Sequence, residues 1–141
     1  MSASETAVRT AIGRWNAGDL DGYLELYDPA IRLHGYAPQP MDKAAVAGFY
    51  RMIGASLPAA GKPMPELVID DLFSAGADVC CRFTMTGSHS GPFMGVPATG
   101  RAYVLAGITI LRFAGPRVIE RWSNADMLGL LVQIGAVPTP G

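Results

Sequence analysis

The chain has 141 residues, half of them hydrophobic and only 16% charged, against about 25% charged in an average soluble domain. That length sets a single domain, residues 1–141, and that hydropathy excludes disorder. A net charge of −1, with only 11 lysines and arginines and no basic stripe, excludes a nucleic-acid binder.

Ser2 and Glu5 have capping-box spacing, and Ala7, Val8, Ala11, Ile12 and Trp15 follow as one helical stripe. Gly18 ends that helix. Asp19 caps a second, with Leu20, Tyr23, Leu24 and Tyr27 on its face, and Asp28-Pro29 stops it. Alternation predicts a first strand over residues 31–36, with Ile31 and Leu33 opposite Arg32 and His34. Asp42 caps a third helix carrying Val46, Phe49, Tyr50, Ile53 and Leu57, which Pro58 ends.

From residue 66 the period changes to two. Strands are expected over residues 66–73 and 79–89, with a turn at Gly76-Ala77-Asp78 between them. A loop rich in glycine and proline, 90–100, leads to residues 101–113, a strand apolar on both faces that belongs in the middle of a sheet. Ala114-Gly115-Pro116 turns the chain into a last strand, 117–124, and a short helix, 127–134, follows before Gly135. The order predicts an α+β fold in which a curved, mostly antiparallel sheet holds the helices in its concave face.

The longest stretch without Asp, Glu, Lys or Arg, residues 83–100, carries Thr84, Thr86, Ser88, His89, Ser90 and Pro92, and is no membrane span. Residues 1–9 contain Glu5 and no apolar signal segment, so a cytoplasmic location is expected. Cys80 and Cys81 are adjacent and point to opposite faces of a strand. With only two histidines beside them, no metal site is expected. There is no phosphate-cradling glycine loop and no Gly-x-Ser-x-Gly elbow.

Strand parity selects the polar groups that could enter a cavity. Val79, Cys81, Phe83, Met85, Gly87 and His89 share a face, so His89 ends an apolar stripe. It reads either as a pocket imidazole or as a strand-end histidine bonded to loop backbone. His34 is in step with Arg32 and faces away from the helices, unless a bulge resets the edge strand. In the last strand Val118, Glu120, Trp122 and Asn124 share a face, and the run continues in step to Asp126. Asp126 reads as the N-cap of the final helix, or as a carboxylate in an apolar cavity whose pKa desolvation raises. Glu120 is expected to pair with Arg101, Arg112, Arg117 or Arg121. Tyr23, Tyr27 and Phe49 read first as core. Together with Phe83, Met85, Phe93, Tyr103, Trp122 and Asn124 they are also the candidates for lining a substrate cavity.

Residues 18–23, running into Tyr27-Asp28-Pro29 and then 31–35, resemble the opening of nuclear transport factor 2-like domains, cone-shaped α+β barrels. Three further segments, 87–101, Gly107-Ile108 and 118–135, resemble the SnoaL-like polyketide cyclase family, also called ester cyclases. Trp122-x-x-x-Asp126 followed by Leu128-Gly129-Leu130-Leu131 is the most specific part. The resemblance implies a cofactor-free acid/base enzyme that closes a ring of a polyketide intermediate by intramolecular aldol condensation. It places the family's acid/base aspartate on Asp126, the histidine of its His-x-Gly-x-Phe segment on His89 and its early strand histidine on His34. Both histidines would then position or polarise carbonyls. The alternatives are an isomerase, dehydratase or hydrolase using the same aspartate on a small hydrophobic substrate, and a non-catalytic binding or dimerisation module. The low charge content and the doubly apolar strand lead us to expect a homodimer that buries the outer sheet face, with no nucleic-acid or membrane partner.

Overall fold

Each helix starts where a short polar side chain can take up an orphan amide. The computed structural model describes residues 2–139. In it Ser2 accepts the Glu5 amide at the head of α1 (Ala3–Asn16), Asp19 the Gly22 amide at α2 (Leu20–Leu24), and Asp42 the Ala45 amide at α3 (Lys43–Ser56). The apolar stripes of these helices, including Val8, Trp15, Val46 and Tyr50, are buried against a sheet.

That sheet has five strands: β1 (Tyr27–His34), β2 (Glu66–Ala75), β3 (Asp78–Ser88), β4 (Ala102–Ala114) and β5 (Arg117–Ala125). Their order is β1-β5-β4-β3-β2, which puts β4 in the middle. All neighbours run antiparallel except β1 and β5, which are parallel. A last helix, α4 (Met127–Gln133), closes the chain. This is the expected α+β architecture, a curved and mostly antiparallel sheet with N-terminal helices packed on it. Among the described residues no helix is long and apolar enough to cross a membrane.

Two local expectations are corrected. The second helix ends at Leu24, and the chain is extended from Tyr27 onward, through Pro29. A proline is tolerated there because β1 lies at the edge of the sheet, where a missing N–H breaks no ladder. Tyr27 is consequently a fully buried strand residue.

The second correction lies in β5. Phe113 pairs with Val118 but Arg112 pairs with Glu120, so Ile119 is an extra residue, a bulge. A bulge turns every later side chain to the other face. Val118 faces the core, and beyond the bulge it is Arg121, Ser123 and Ala125 that point inward. In β4 the alternation is unbroken. Tyr103, Leu105, Leu111 and Phe113 are buried, while Val104, Ile108 and Ile110 stand exposed on the outer face.

Candidate active site

Between the helices and the inner face of the sheet lies a cavity of about 340 Å³. Trp15, Phe49, Ile53 and Leu57 wall it from the helices, and Leu67, Phe83, Met85 and Leu105 from the sheet. The loop after β3 adds Phe93 and Met94, and the chain end adds Met127, Leu130 and Leu131. Its side-chain hydrogen-bonding groups are Arg121, Tyr23, Tyr36, Tyr50, Ser123 and Trp15, whose indole N–H is already given to the Pro65 carbonyl.

Arg121 is only 9% exposed. Its Nε donates to Thr109 Oγ1 at 2.8 Å. Its Nη1 donates to the hydroxyls of Tyr23 at 2.9 Å and Tyr50 at 3.2 Å, and to that of Tyr27. The guanidinium carbon stands 5.8 Å from the centre of the Tyr36 ring. Gly35 makes that approach feasible. It has φ +93°, and a Cβ there would collide with the Ser123 carbonyl on β5.

The tyrosines form a chain, with hydroxyl contacts Tyr23–Tyr27 at 3.0 Å, Tyr27–Tyr50 at 2.6 Å and Tyr50–Tyr36 at 2.8 Å. Each phenol has one proton to donate. Three contacts use three of the four, so one phenol proton is left over, and Tyr23, Tyr36 and Tyr50 line the cavity. Burial pushes the Tyr27 and Tyr50 pKa values well above the ordinary phenol value, although Arg121 pulls the other way. For Arg121 burial is the largest influence and works against the charge, and its pKa is raised only through attraction to the tyrosines once they ionise, a compensation that is absent while they are neutral. Near neutrality the cluster is therefore one cation among neutral phenols.

No carboxylate balances that cation among the described residues, whose arginine ion pairs involve Arg14, Arg82 and Arg112. Arg121 Nη2 has no partner there either. It is not sealed in, since His89 Nε2 is the one buried polar side-chain atom left without a partner among those residues.

Of the residues expected to line a cavity, Tyr23, Phe49, Phe83, Met85 and Phe93 do so. Tyr27 lies behind, reaching the cluster through its hydroxyl. Tyr103 is a core strut whose hydroxyl donates to the Leu57 carbonyl at 2.6 Å. Trp122 and Asn124 are turned to the outer face by the bulge at Ile119.

Asp126, His89 and His34 do not converge, and the expectation that they meet in the cavity is corrected. Asp126 is exposed and caps α4, its Oδ1 accepting the Gly129 amide at 2.9 Å. It sits at the rim, between the cavity-lining Ala125 and Met127. His34 lies on the outer face, 2.7 Å from Glu120 Oε2 and stacked on Trp122 at 5.4 Å. Glu120 thus pairs with a histidine rather than an arginine. His89 is wholly buried, and its Nδ1 accepts the Thr99 amide at 3.2 Å and contacts Thr99 Oγ1 at 2.9 Å. It fastens the 90–100 loop, which supplies Phe93 and Met94 to the cavity wall.

The SnoaL-like polyketide cyclase family model matches residues 5–134. The chain belongs to that family. AclR from Streptomyces galilaeus, a candidate hydroxylase, is 26% identical, with a TM-score of 0.82 over 100% of this chain and 87% of its own. IdmH from Streptomyces antibioticus, a candidate polyketide cyclase, is 27% identical, with a TM-score of 0.76 over 92% of this chain and 96% of its own. A candidate SnoaL-like polyketide cyclase from Jannaschia sp. CCS1 is 26% identical, with a TM-score of 0.73 over 98% of each chain. No curated protein matches the chain. These relatives differ in the chemistry ascribed to them, so the reaction must be argued from the site.

Proposed function

We propose that this SnoaL-like protein is a cofactor-free acid/base enzyme that closes a ring in a small hydrophobic polycarbonyl compound by intramolecular aldol condensation. The supporting observation is the cavity of about 340 Å³, apolar along its walls, with Arg121 and three phenols among its few polar groups. Its size falls in the range of ligand pockets, about 300–1,000 Å³.

A C–H between two carbonyls is already acidic, so its ionisation needs stabilisation of the enolate oxygen more than it needs a strong base. Arg121 Nη2 and the free phenol proton offer that stabilisation in a water-poor site, where one such donor is worth roughly 10²–10³ in rate. The apolar walls fold the flexible chain so that enolate and acceptor carbonyl meet. Water at the rim takes the proton and returns one to the new alkoxide, and the exposed Asp126, whose Oδ1 holds the cap, assists there with Oδ2. His89 acts on the wall, by holding the loop of Phe93 and Met94. His34 belongs to the outer face.

That outer face carries exposed Val104, Ile108 and Ile110 on β4, with Ile119 beside them on β5. We assign it to a homodimer, so light scattering should read twice 14.9 kDa. The two free cysteines, Cys80 and Cys81, suit the reducing cytoplasm.

The test is deuterium exchange at the carbon between the carbonyls of 1-phenylbutane-1,3-dione, followed by proton NMR. Wild type should accelerate exchange, and Arg121→Met and Tyr50→Phe should lose at least tenfold of it, about 1.4 kcal/mol of transition-state stabilisation. No acceleration by wild type, or full activity in Arg121→Met, overturns the proposal.

A further inference from the structure

We infer that the polar end of the cavity binds a carboxylate, and that the natural ligand is a hydrophobic carboxylic acid anchored as its anion by Arg121. The inference rests on the reading of the cavity as the ligand site and adds the substrate class: in such a substrate Nη2 holds the carboxylate from the start, and the free phenol proton serves the enolate oxygen.

Arg121 is desolvated, yet its partners among the described residues are all neutral, Thr109 and three tyrosines. A buried charge without a counter-ion carries a desolvation penalty of several kcal/mol. A side chain needed only to tie tyrosines together could be neutral and avoid it. The penalty is relieved when an anion arrives, and an enolate formed only during turnover would leave the resting protein uncompensated.

The donors available also fit a carboxylate better than a ketone. Nη2 has two free protons and the tyrosine chain has one more, available to a second oxygen. A single carbonyl oxygen saturates with about two donors, whereas a carboxylate has about four acceptor sites. Hydrogen bonds between guanidinium and carboxylate are also about twice as strong as neutral ones. No acid among the described side chains lines the cavity, so nothing there repels the anion. The remaining wall is aromatic and aliphatic, which requires a greasy body behind the charged group.

The experiment compares 2-naphthoate with methyl 2-naphthoate and 2-acetylnaphthalene, by calorimetry and by fluorescence of Trp15 in the cavity wall. Wild type should bind 2-naphthoate at least tenfold more tightly than either neutral compound, and Arg121→Met should lose that preference. Tyr36→Phe keeps the ring that packs on Phe49. It should weaken 2-naphthoate severalfold and leave the ester unchanged, which provides a test even if Arg121→Met does not fold. Equal or tighter binding of the neutral compounds overturns the carboxylate assignment and leaves the cavity as the ligand site. Failure of all three to bind overturns both.

Discussion

Phe83 and Gly107 stand opposite one another in the β3–β4 ladder, and the phenyl ring occupies the place that a Cβ on Gly107 would take. The ring can therefore lie down against the sheet, and the space above it remains part of the cavity.

Gly107→Val should lift that ring into the cavity. Valine suits a strand, so the fold should persist at a cost of about 1–3 kcal/mol from overpacking. Binding of methyl 2-naphthoate should fall at least tenfold. Thermal unfolding and calorimetry check the two halves, and unchanged binding would show that Phe83 does not set the cavity floor.

Arg121 has no counter-ion among the described residues, which makes its contribution to stability unusual. Replacing it with methionine removes the desolvation penalty and leaves the tyrosine hydroxyls bonded to one another. Buried ionic groups replaced by apolar ones are often neutral or stabilising, by about 1–4 kcal/mol. Arg121→Met should thus unfold at or above the wild-type temperature while losing function. A loss of more than about 2 kcal/mol would mean that the guanidinium serves mainly to hold the fold.

Asp126 separates capping from chemistry. Asparagine is as good an N-cap as aspartate, so Asp126→Asn should leave stability unchanged, whereas Asp126→Ala should cost about 1 kcal/mol. Because the carboxylate is exposed at the rim, the asparagine variant should retain diketone exchange to within about tenfold. Abolished exchange in Asp126→Asn beside normal exchange in Arg121→Met would restore the aspartate to the centre of the mechanism.

The tyrosines predict alkaline behaviour. Burial raises the folded-state pKa of Tyr27, Tyr50 and Tyr103 above the unfolded value near 10. Above that value the unfolded chain has released protons that the folded chain still holds, so stability falls as pH rises and is untouched below it. Phenolate absorbance from these three should appear only together with loss of near-ultraviolet circular dichroism. Their ionisation in a still folded protein would contradict the buried cluster.

Much of the fold is legible locally. Ser2, Asp19, Asp42 and Asp126 each cap the helix that begins at the next residue, through an amide three positions on. The alternation of β4 marks its two faces residue by residue. The site is less legible, and the extra residue at Ile119 is the reason. Sequence alternation runs on through Val118, Glu120 and Trp122 as if unbroken, while the bulge reverses it and delivers Arg121 inward. Pairing across β4 decides that reversal, and pairing is not written in β5 alone. The part that Tyr36 and Tyr50 play in the site is hidden for a related reason, since their hydroxyls meet only when β1, α3 and the turn after β1 are assembled. The one trace in the sequence is that four of the five tyrosines fall between residues 23 and 50. Buried tyrosines need hydroxyl partners.

Arg121 and its phenols favour a negative oxygen at the end of the cavity. The most direct measurement is the pH at which bound 1-phenylbutane-1,3-dione ionises, read from the ultraviolet band of its enolate. A cation beside an acid favours the conjugate base and lowers its pKa, by about 1–3 units at close range. The bound diketone should ionise at least one unit below the free compound, and return to the free value in Arg121→Met. Ionisation of the bound diketone at the free value or above it in wild type would contradict the account.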